Sequence, residues 1–234
     1  MLYNICSGDQ EGGGGMNYVE NIYVCLAAPI FIAILAVGRN PRRAMTFILG
    51  GMTVCLLSSY ISTFLAGVSG ADAEAAAINI SPIVEEIMKF LPVLFYMVVF
   101  EPEEKGKAVG ALLMIAIGFA TFENVCYLTQ NGAGHLLFLT VRGFGTGTMH
   151  VVCGMLVSAG LLFMWEQRWL RAFGIMGLLS LAITYHGIYN MMVSQQGVVA
   201  YVGYGIPIVS ALILLVQKNK MFRAQRRQTV NKTD

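Results

Sequence analysis

Apolar runs of about 20 residues recur along this 234-residue chain, and they constrain its fold more than any other feature. A helix of about 20 residues crosses the hydrocarbon core of a bilayer, which is about 30 Å thick. The chain is 56% hydrophobic and only 12% charged, whereas an ordinary soluble domain has about 25% charged residues. The alternating pattern of barrel strands is absent, so helices are expected to satisfy the backbone in lipid.

The sequence therefore predicts an all-α, polytopic membrane helical bundle with about seven transmembrane helices and no separate soluble domain. The predicted spans cover residues 17–37, 44–68, 81–100, 108–129, 143–164, 172–193 and 197–216. Residues 1–16 form a predicted flexible extracytoplasmic tail, residues 17–216 the membrane domain, and residues 217–234 a basic cytoplasmic tail.

The basic residues predict an orientation in the membrane. Thirteen of the fifteen lysines and arginines lie on one side of the seven spans: three follow the first run, two the third, two the fifth, and six lie in the tail. The other two, Lys89 and Arg142, fall within or beside a span. By the positive-inside rule, the C-terminus is predicted to be cytoplasmic and the N-terminus outside. We expect a cell-membrane protein in contact with the lipid bilayer and with no nucleic-acid partner.

Ionisable side chains occur within the apolar runs, where they are costly. A charged residue at the bilayer centre costs roughly 2.5–3.5 kcal/mol on insertion scales, so it indicates a functional site by default. With the spans placed as above, four of them carry such groups in the outer third of the bilayer. The candidate residues are Glu85, Glu86 and Lys89 in the third span, Glu123 and Tyr127 in the fourth, Arg142 and His150 at the fifth, and His186 and Asn190 in the sixth.

Helical spacing aligns several of these residues. Glu85 and Glu86 precede Lys89 by four and three residues, so both carboxylates can reach its ammonium group. His186 and Asn190 are also four residues apart and share one helix face. A buried salt bridge at Lys89 would be a purely structural explanation. A second carboxylate leaves a net negative charge in a low dielectric, which favours a functional explanation.

The start of the fifth span is predicted to be irregular. The segment 135–164 is too long for one span, and residues 142–150 (RGFGTGTMH) contain three glycines at alternate positions. Each glycine costs about 1 kcal/mol in a helix interior. We therefore expect a short outer or re-entrant helix over 135–141, then a break, and then the transmembrane helix.

The residue types in this polar layer suit the hydrolysis of an amide. Two neighbouring carboxylates in a poor solvent do not both stay ionised easily, so one of them can exchange a proton with water. Such a group can act as general base on water and return the proton to a leaving amine. Histidine and asparagine side chains can donate to an oxyanion. No serine lies in a G-x-S-x-G context, which makes serine catalysis a weaker alternative.

Four sequence blocks that carry these residues resemble the motifs of a known family. They are residues 84–90 (VEEIMKF), 118–127 (GFATFENVCY), 150–154 (HVVCG) and 186–190 (HGIYN). Their order, spacing and placement on successive spans resemble the PrsW family of glutamic-type intramembrane proteases, within the CAAX-protease and bacteriocin-processing superfamily. Arg142, eight residues before the third block, also fits the pattern. The resemblance covers roughly residues 80–195, the motif core of a predicted protease domain.

The resemblance implies an intramembrane endopeptidase that cleaves a single-span membrane protein near the outer face, as in first-site cleavage of an anti-sigma factor. By similarity, Glu85 or Glu86 activates water, with Glu123 and His150 assisting. The same similarity implies that His186 and Asn190 polarise the scissile carbonyl and stabilise the oxyanion. It implies no metal and no other cofactor.

Two departures from the family pattern are visible. PrsW sequences usually have aspartate at the position of Asn190, and asparagine there favours an oxyanion donor over a metal ligand. Their first cytoplasmic loop often has an acidic element, whereas residues 38–43 of this chain read GRNPRR. This loop difference bears on the contacts made there and on the identity of the substrate.

Two other functions are alternatives. A zinc-dependent membrane metalloprotease would hold the ion with His150, His186 and Glu123, although no HExxH motif is present. A proton- or ion-coupled transporter also uses glutamates, histidines and a lysine. Against transport, no polar residues continue into the inner half of the predicted spans. The intramembrane protease is the function that we expect.

Overall fold

The computed structural model describes residues 38–100, 105–131, 136–164 and 168–230, together with Tyr23, Ala27, Ile30, Phe31 and Ile34. Within these residues the regular structure is entirely helical, which confirms the all-α prediction for them. The helices are α1 (Arg39–Ser69), α2 (Ala73–Ala75), α3 (Ser81–Phe100), α4 (Lys105–Asn131), α5 (Leu136–Phe163), α6 (Arg168–Val193) and α7 (Val198–Val230), with a π-helical segment (Ala76–Ile80) between α2 and α3.

Four helices in the described part of the chain are long and apolar enough to cross a membrane: Pro41–Ser69, Lys107–Thr129, Leu136–Ser158 and Ala172–Val193. They correspond to the second, fourth, fifth and sixth predicted spans. The third predicted span is the 20-residue helix α3, which carries three charged residues. The seventh lies in a shorter apolar stretch, Val198–Leu214. Most of the first span, residues 1–16 and residues 231–234 lie outside the described residues. The seven-span count and the orientation therefore stay predictions.

The bundle is built around α5, which packs against α4, α6 and α7. Helix α1 packs against α4 and α3 on the other side of the bundle. Short connections between consecutive helices make neighbours antiparallel. A consequence is that the starts of α1, α4 and α6 lie at one end of the bundle. Arg43 Nη2 donates to the Lys107 carbonyl at 3.1 Å, which joins two of these basic ends.

Two glycines let α1 and α4 approach each other closely. A Cβ atom on Gly51 would lie 2.1 Å from the Ile115 carbonyl oxygen, and one on Gly118 would lie 2.0 Å from the Ile48 oxygen. Small residues are typical of such crossings between membrane helices. Lipid supplies no hydrophobic driving force between helices, so their association depends on close packing. This crossing sets the distance between the helix that carries Glu123 and its neighbour.

The connection from α1 to α3 is short and irregular. Gly70 ends α1 in the left-handed conformation with φ 67°, which glycine adopts without steric cost. Asp72 then caps α2, because its carboxylate accepts the Ala75 N–H at 2.8 Å. The chain continues through the π-helical segment directly into α3. Helical structure therefore begins at Ala73, eight residues earlier than the predicted span.

The break predicted before the fifth transmembrane helix is wrong. Helix α5 is continuous from Leu136 to Phe163 and includes all three glycines of the RGFGTGTMH segment. The physical reason is packing: a Cβ atom on Gly145 would lie 2.9 Å from Tyr204 of α7. The close approach of α7 offsets the helix penalty of glycine, which is about 1 kcal/mol. His150 consequently lies fourteen residues after the start of its helix, near the middle of α5.

Candidate active site

Four helices bring seven of the predicted polar side chains into one buried cluster. Each of the seven is between 0% and 7% exposed, so none of the charges is solvated by bulk water. The members of this polar cluster are Glu85, Glu86 and Lys89 of α3, Glu123 of α4, Arg142 and His150 of α5, and His186 of α6. The fully buried ring of Phe119 packs against it.

Glu86 is the carboxylate that holds the centre of the cluster together. Its Oε1 atom accepts a bond from Lys89 Nζ at 2.7 Å and contacts His186 Nδ1 at 2.8 Å. A carboxylate can only accept, so Nδ1 of His186 carries the hydrogen of this bond. In the neutral form of the ring, the Nε2 atom of His186 then bears the free lone pair.

Lys89 and His150 together connect Glu86 of α3 to Glu123 of α4. Its ammonium group lies 2.9 Å from His150 Nδ1 and 4.8 Å above the centre of the Phe119 ring. The ammonium can only donate, so His150 Nδ1 accepts and the hydrogen of the neutral ring lies on Nε2. That hydrogen is donated to Glu123 Oε2 at 2.6 Å. The orientation of His150 is therefore fixed from both sides.

Arg142 completes the far side of the cluster. Its guanidinium lies 3.4 Å from Glu123 Oε1, donates to Asn124 Oδ1, and stacks over the Tyr127 ring at 3.6 Å. The Asn124 amide in turn donates to the Gly143 carbonyl at 3.3 Å. Arg142 and Tyr127, both candidate residues from the sequence, thus contact each other beside the second half of α4.

Glu85 differs from the other two glutamates in its surroundings. Its one ion-pair contact among the described residues is to His186, with Oε2 3.8 Å from Nε2. That separation is too long for a direct hydrogen bond. When His186 is neutral, Glu85 Oε2 and His186 Nε2 are two lone-pair atoms that face each other across a gap, and this gap can receive a hydrogen-bond donor or a cation.

The net charge of the polar cluster depends on His186. The cluster contains three carboxylates and two cationic residues, Lys89 and Arg142. His150 is neutral, because its Nδ1 atom accepts from Lys89. With a protonated His186 the charges balance, and His186 is then the cation next to Glu85. With a neutral His186 one negative charge is left over; since Glu86 is paired with Lys89 and Glu123 with Arg142, it belongs to Glu85. A buried carboxylate without a cation is strongly destabilising, and such a group indicates a functional role.

The donor atoms of the cluster also fit a metal ion. Glu85, His150 and His186 each offer one ligand atom, and these atoms lie within 4.8 Å of one another. Two histidines and a glutamate are a known catalytic zinc set. Each of the two histidine rings is also hydrogen-bonded to a carboxylate, as the histidine ligands of such sites usually are. In this set the carboxylate ligand is Glu85, whereas the zinc hypothesis from the sequence uses Glu123. Lys89 would have to release His150 Nδ1 if that atom were the ligand.

Asn190 lies beside the polar cluster and has a backbone partner. It follows His186 by one helical turn, and its Nδ2 atom donates to the Ala77 carbonyl of the π-helical segment at 2.8 Å. This bond joins α6 to the segment that precedes the two glutamates. The oxyanion role predicted for Asn190 would require it to exchange this partner for a substrate.

Two residues near the cluster were missed from the sequence. Thr146 and Tyr189 share a hydrogen bond at 2.7 Å between their hydroxyl groups, and both are buried. The spacing gives a signal, because Thr146 precedes His150 by four residues and Tyr189 follows His186 by three. Phe119 contacts His150 with 4.8 Å between ring centroids, but an apolar residue in an apolar run gives no comparable signal.

A comparison with protein families bears on the nature of this site. Residues 41–216 match the family described as "PrsW family intramembrane metalloprotease". The matched segment spans well over half of the chain and contains the whole polar cluster. No solved structure matches the chain.

Proposed function

This chain belongs to the PrsW family of intramembrane proteases, and on that premise we propose that it hydrolyses its substrate with a water molecule activated at Glu85. The chain is a multi-pass membrane protein, and its substrate is a membrane protein. In our proposal that substrate spans the membrane once and is cut near the outer face, an anti-sigma factor being one such case. The proposed reaction is of glutamic type, so no acyl-enzyme forms.

The pair of acceptor atoms Glu85 Oε2 and His186 Nε2, which lie 3.8 Å apart, carries this proposal. A water molecule between them donates one hydrogen to each, at ordinary distances of about 2.7–3.0 Å. Its lone pairs then point away from both bases and are available to a carbonyl carbon. With His186 neutral, as the proposal requires, Glu85 has no cation beside it, whereas Glu86 is paired with Lys89. Glu85 is therefore the proposed proton acceptor.

The proposed steps conserve every atom of the water. Its oxygen bonds to the scissile carbonyl carbon while Glu85 takes one proton, and the carbonyl oxygen becomes an oxyanion. Glu85 returns that proton to the amide nitrogen as the carbon–nitrogen bond breaks. The products are a carboxylic acid and an amine. Asn190, if released from Ala77, is the proposed donor to the oxyanion. His186 donates its Nδ1 hydrogen to Glu86 and accepts from the water at Nε2, so the oxyanion role that the resemblance gives to His186 does not fit this mechanism.

The other residues of the polar cluster position these groups. Glu86 fixes the tautomer of His186 by accepting its Nδ1 hydrogen, and Lys89 holds Glu86 in place. Glu123 and Arg142 orient His150, which supports Lys89 in turn. Aligned and desolvated groups of this kind need no reorganisation during the reaction.

A metal-dependent version of the reaction is the second candidate, supported by the Glu85–His150–His186 set and by the description of the family. Those three residues would hold the ion, and a bound divalent metal would supply a Lewis acid and a more acidic water. Glu86 and Glu123 would then orient the two histidine ligands. The transporter alternative receives no support from the family.

Cleavage by the purified protein in liposomes tests the proposal. The probe is a pooled library of doubly tagged single-span segments that differ in sequence near the outer end. We expect wild type to cut members of the pool, and Glu85→Gln, Glu86→Gln, Glu123→Gln, His150→Ala and His186→Ala to cut them at least tenfold more slowly. Glu74→Gln, which alters an exposed carboxylate of α2, is the matched control. Cleavage that survives in all five variants would rule out this site.

Removal of metal separates the two versions of the mechanism. Under the glutamic mechanism, wild-type protein that has been dialysed against a strong chelator keeps its cleavage rate, and elemental analysis finds no stoichiometric metal. A rate that falls at least tenfold and returns on addition of Zn²⁺ would establish the metal-dependent version instead.

A further inference from the structure

The second half of α1 buries small and polar side chains and exposes large apolar ones. From Cys55 to the end of the helix the buried residues are all small, and each is at most 2% exposed: Cys55, Ser58, Ser59, Ser62 and Ala66. The large side chains of the same half, Phe64 and Val68 among them, are 69% and 72% exposed. In a membrane these large side chains face lipid, and the face that carries the serines is turned into the bundle.

Three buried serine hydroxyls lack a hydrogen-bond partner in the described part of the chain. They are the Oγ atoms of Ser58 and Ser62 on α1 and of Ser81 at the start of α3, and all three residues are 0–1% exposed. Thr53 and Thr63 of α1 donate instead to carbonyl groups of their own helix, at 3.0 and 2.8 Å. A buried hydroxyl without a bond is costly. Alanine would allow the same close packing of helices without that cost.

The three hydroxyls lie at successive depths that lead to Glu85. Helices α2 and α3 and the π-helical segment between them form one continuous helix, which runs back along α1. At about 1.5 Å per residue, Ser62 lies about 10 Å from the end of α1, and Ser81 about 12 Å from the start of α2. Ser58 and Glu85 lie about one turn deeper, at about 16 and 18 Å. Each helix therefore has one polar group at each of the two levels.

The faces that carry these groups are turned towards each other. Helix α1 packs against both α3 and the π-helical segment that precedes it. Ser81 precedes Glu85 by four residues and so shares its side of α3. Cys55, three residues before Ser58 on α1, interacts electrostatically with the carboxylates of Glu85 and Glu123. The serine face of α1 is therefore continuous with the polar cluster.

The burial and the chemistry of this seam limit what can bind there. A polypeptide would reach hydroxyls that are 0–1% exposed only by separating two packed helices. An apolar molecule would leave the hydroxyls without a bond. Water is small, both donates and accepts, and occupies buried sites where it finds two to four polar partners. It is also the reactant that the buried carboxylate of Glu85 requires for hydrolysis.

We propose that Ser58, Ser62 and Ser81 bind water molecules along a path that supplies Glu85 from the end of the bundle where α1 joins α2, the predicted outer face. The inference rests on the proposed function, whose reactant is this water, and it adds the route of that reactant and three positioning residues. Each hydrolysis consumes one water molecule, which passes from the level of Ser62 and Ser81 to that of Ser58 and Glu85. The metal-dependent version of the reaction would use the same path.

Hydrogen exchange at substituted cysteines tests the path without requiring cleavage. Ser58→Cys, Ser62→Cys and, as control, Ser158→Cys are each made in the full chain with its five native cysteines replaced by alanine. Ser158 is also buried, at 3% exposure, but its hydroxyl donates to the Gly154 carbonyl of its own helix at 2.7 Å. The protein in liposomes is transferred to D₂O, and infrared spectroscopy follows the loss of the S–H stretching band.

We expect the thiols at positions 58 and 62 to exchange at least tenfold faster than the thiol at position 158. Cysteine is close to serine in size, and the exchanging particle is a hydrogen, so the probe does not widen the path. Exchange at position 58 or 62 that is less than tenfold faster than at 158 would overturn the proposal.

Removal of the hydroxyls tests their effect on the reaction. The triple variant Ser58→Ala/Ser62→Ala/Ser81→Ala loses no protein hydrogen bond, so its melting temperature should not fall. Each hydrogen bond lost to water lowers the occupancy of the path severalfold. We therefore expect kcat for a cleaved segment to fall at least tenfold, with KM within about twofold of wild type. Ser158→Ala should leave kcat unchanged.

The outcomes separate this inference from the proposed function. If wild type cleaves the segment and the triple variant keeps the wild-type kcat, the path fails while the proposed hydrolysis stands. A triple variant in which kcat and the melting temperature fall together would indicate a structural role and also overturn the path. If wild type cleaves no segment, the hydrolysis fails, and the exchange rates alone decide whether water occupies the path.

Discussion

At the residue scale, the contacts of Lys89 distinguish the two adjacent glutamates. The ammonium group bonds to Glu86 at 2.7 Å. Among the described residues, the one ion-pair contact of Glu85 is to His186, at the longer distance of 3.8 Å. In our proposal the closely paired Glu86 contributes to stability, and Glu85 is available for chemistry. This division leads to two predictions about stability.

Removal of Lys89 should be more damaging than removal of the whole ion pair. The Lys89→Met variant leaves Glu86 buried without its cation, which costs about 3–5 kcal/mol of unfolding free energy. The double variant Lys89→Met/Glu86→Gln removes both charges and should recover at least about 1 kcal/mol of that loss. Reversible unfolding in mixed micelles measures both values. Equal stability of the single and double variants would show that the pair is not desolvated as described.

Replacement of Glu85 should not reduce stability. Glu85→Gln removes a buried charge that makes no direct hydrogen bond to His186, 3.8 Å away, so on the proposed neutral state of His186 the free energy of unfolding should stay the same or rise. Glu123→Gln removes a carboxylate bonded to His150 and Arg142, and it should lower the free energy by about 2 kcal/mol or more. The same micelle assay compares the two. A loss for Glu85→Gln as large as that for Glu123→Gln would contradict our assignment of the surplus charge.

At the scale of the elements, glycine has opposite consequences in neighbouring positions of α1. A Cβ atom on Gly51 would meet the α4 backbone at 2.1 Å, whereas one on Gly50 would meet nothing within 4 Å. Gly51→Ala should therefore destabilise the bundle by about 1–3 kcal/mol. Gly50→Ala should be neutral or stabilise it by up to about 1 kcal/mol. Thermal unfolding of the two variants checks this, and a similar effect of both would argue against the close crossing.

The glycines of α5 also show why one helix was predicted wrongly from the sequence. The three glycines of the RGFGTGTMH segment suggested a break, because their local cost is visible and their packing partner is not. Tyr204, which packs on Gly145, is 59 positions away in the chain. By contrast, the presence of the two glutamates and the lysine on one helix follows from local spacing, and the structure has them there.

The composition of the polar cluster was predictable for a similar reason. Every ionisable group in an apolar run needs a partner, so Glu85, Lys89, Glu123, His150 and His186 could be expected to meet. Which partner each residue takes depends on the angles between helices, and these are not encoded locally. The bond from Asn190 to Ala77 and the pair of Thr146 with Tyr189 are contacts of that kind.

At the scale of the whole molecule, the helices enclose a charged interior within an apolar exterior. The basic starts of α1 and α4 meet at one end of the bundle, through the bond from Arg43 to the Lys107 carbonyl. This agrees with the prediction that the loops before these helices lie on the same side of the membrane. The side itself is predicted by the positive-inside rule alone.

Reporter fusions test that orientation. A reporter inserted between Ser194 and Gly197 should be active outside the cell, and one fused after the C-terminal residue Asp234 should be active in the cytoplasm, because α7 separates the two sites. A cysteine that replaces Gly38 should be labelled from the cytoplasmic side of the membrane, the side on which the C-terminal reporter is expected. The same response from both fusions would contradict the seven-span arrangement.

The most direct test of the central claim is the single-turnover rate of Glu85→Gln on a segment that wild type cleaves. The mutation removes the proposed base and leaves Glu86, Lys89 and His186 in their hydrogen bonds. We predict that the rate falls at least about 100-fold and that Glu74→Gln retains the wild-type rate. A Glu85→Gln protein that cleaves within about threefold of wild type would show that Glu85 does not activate the water.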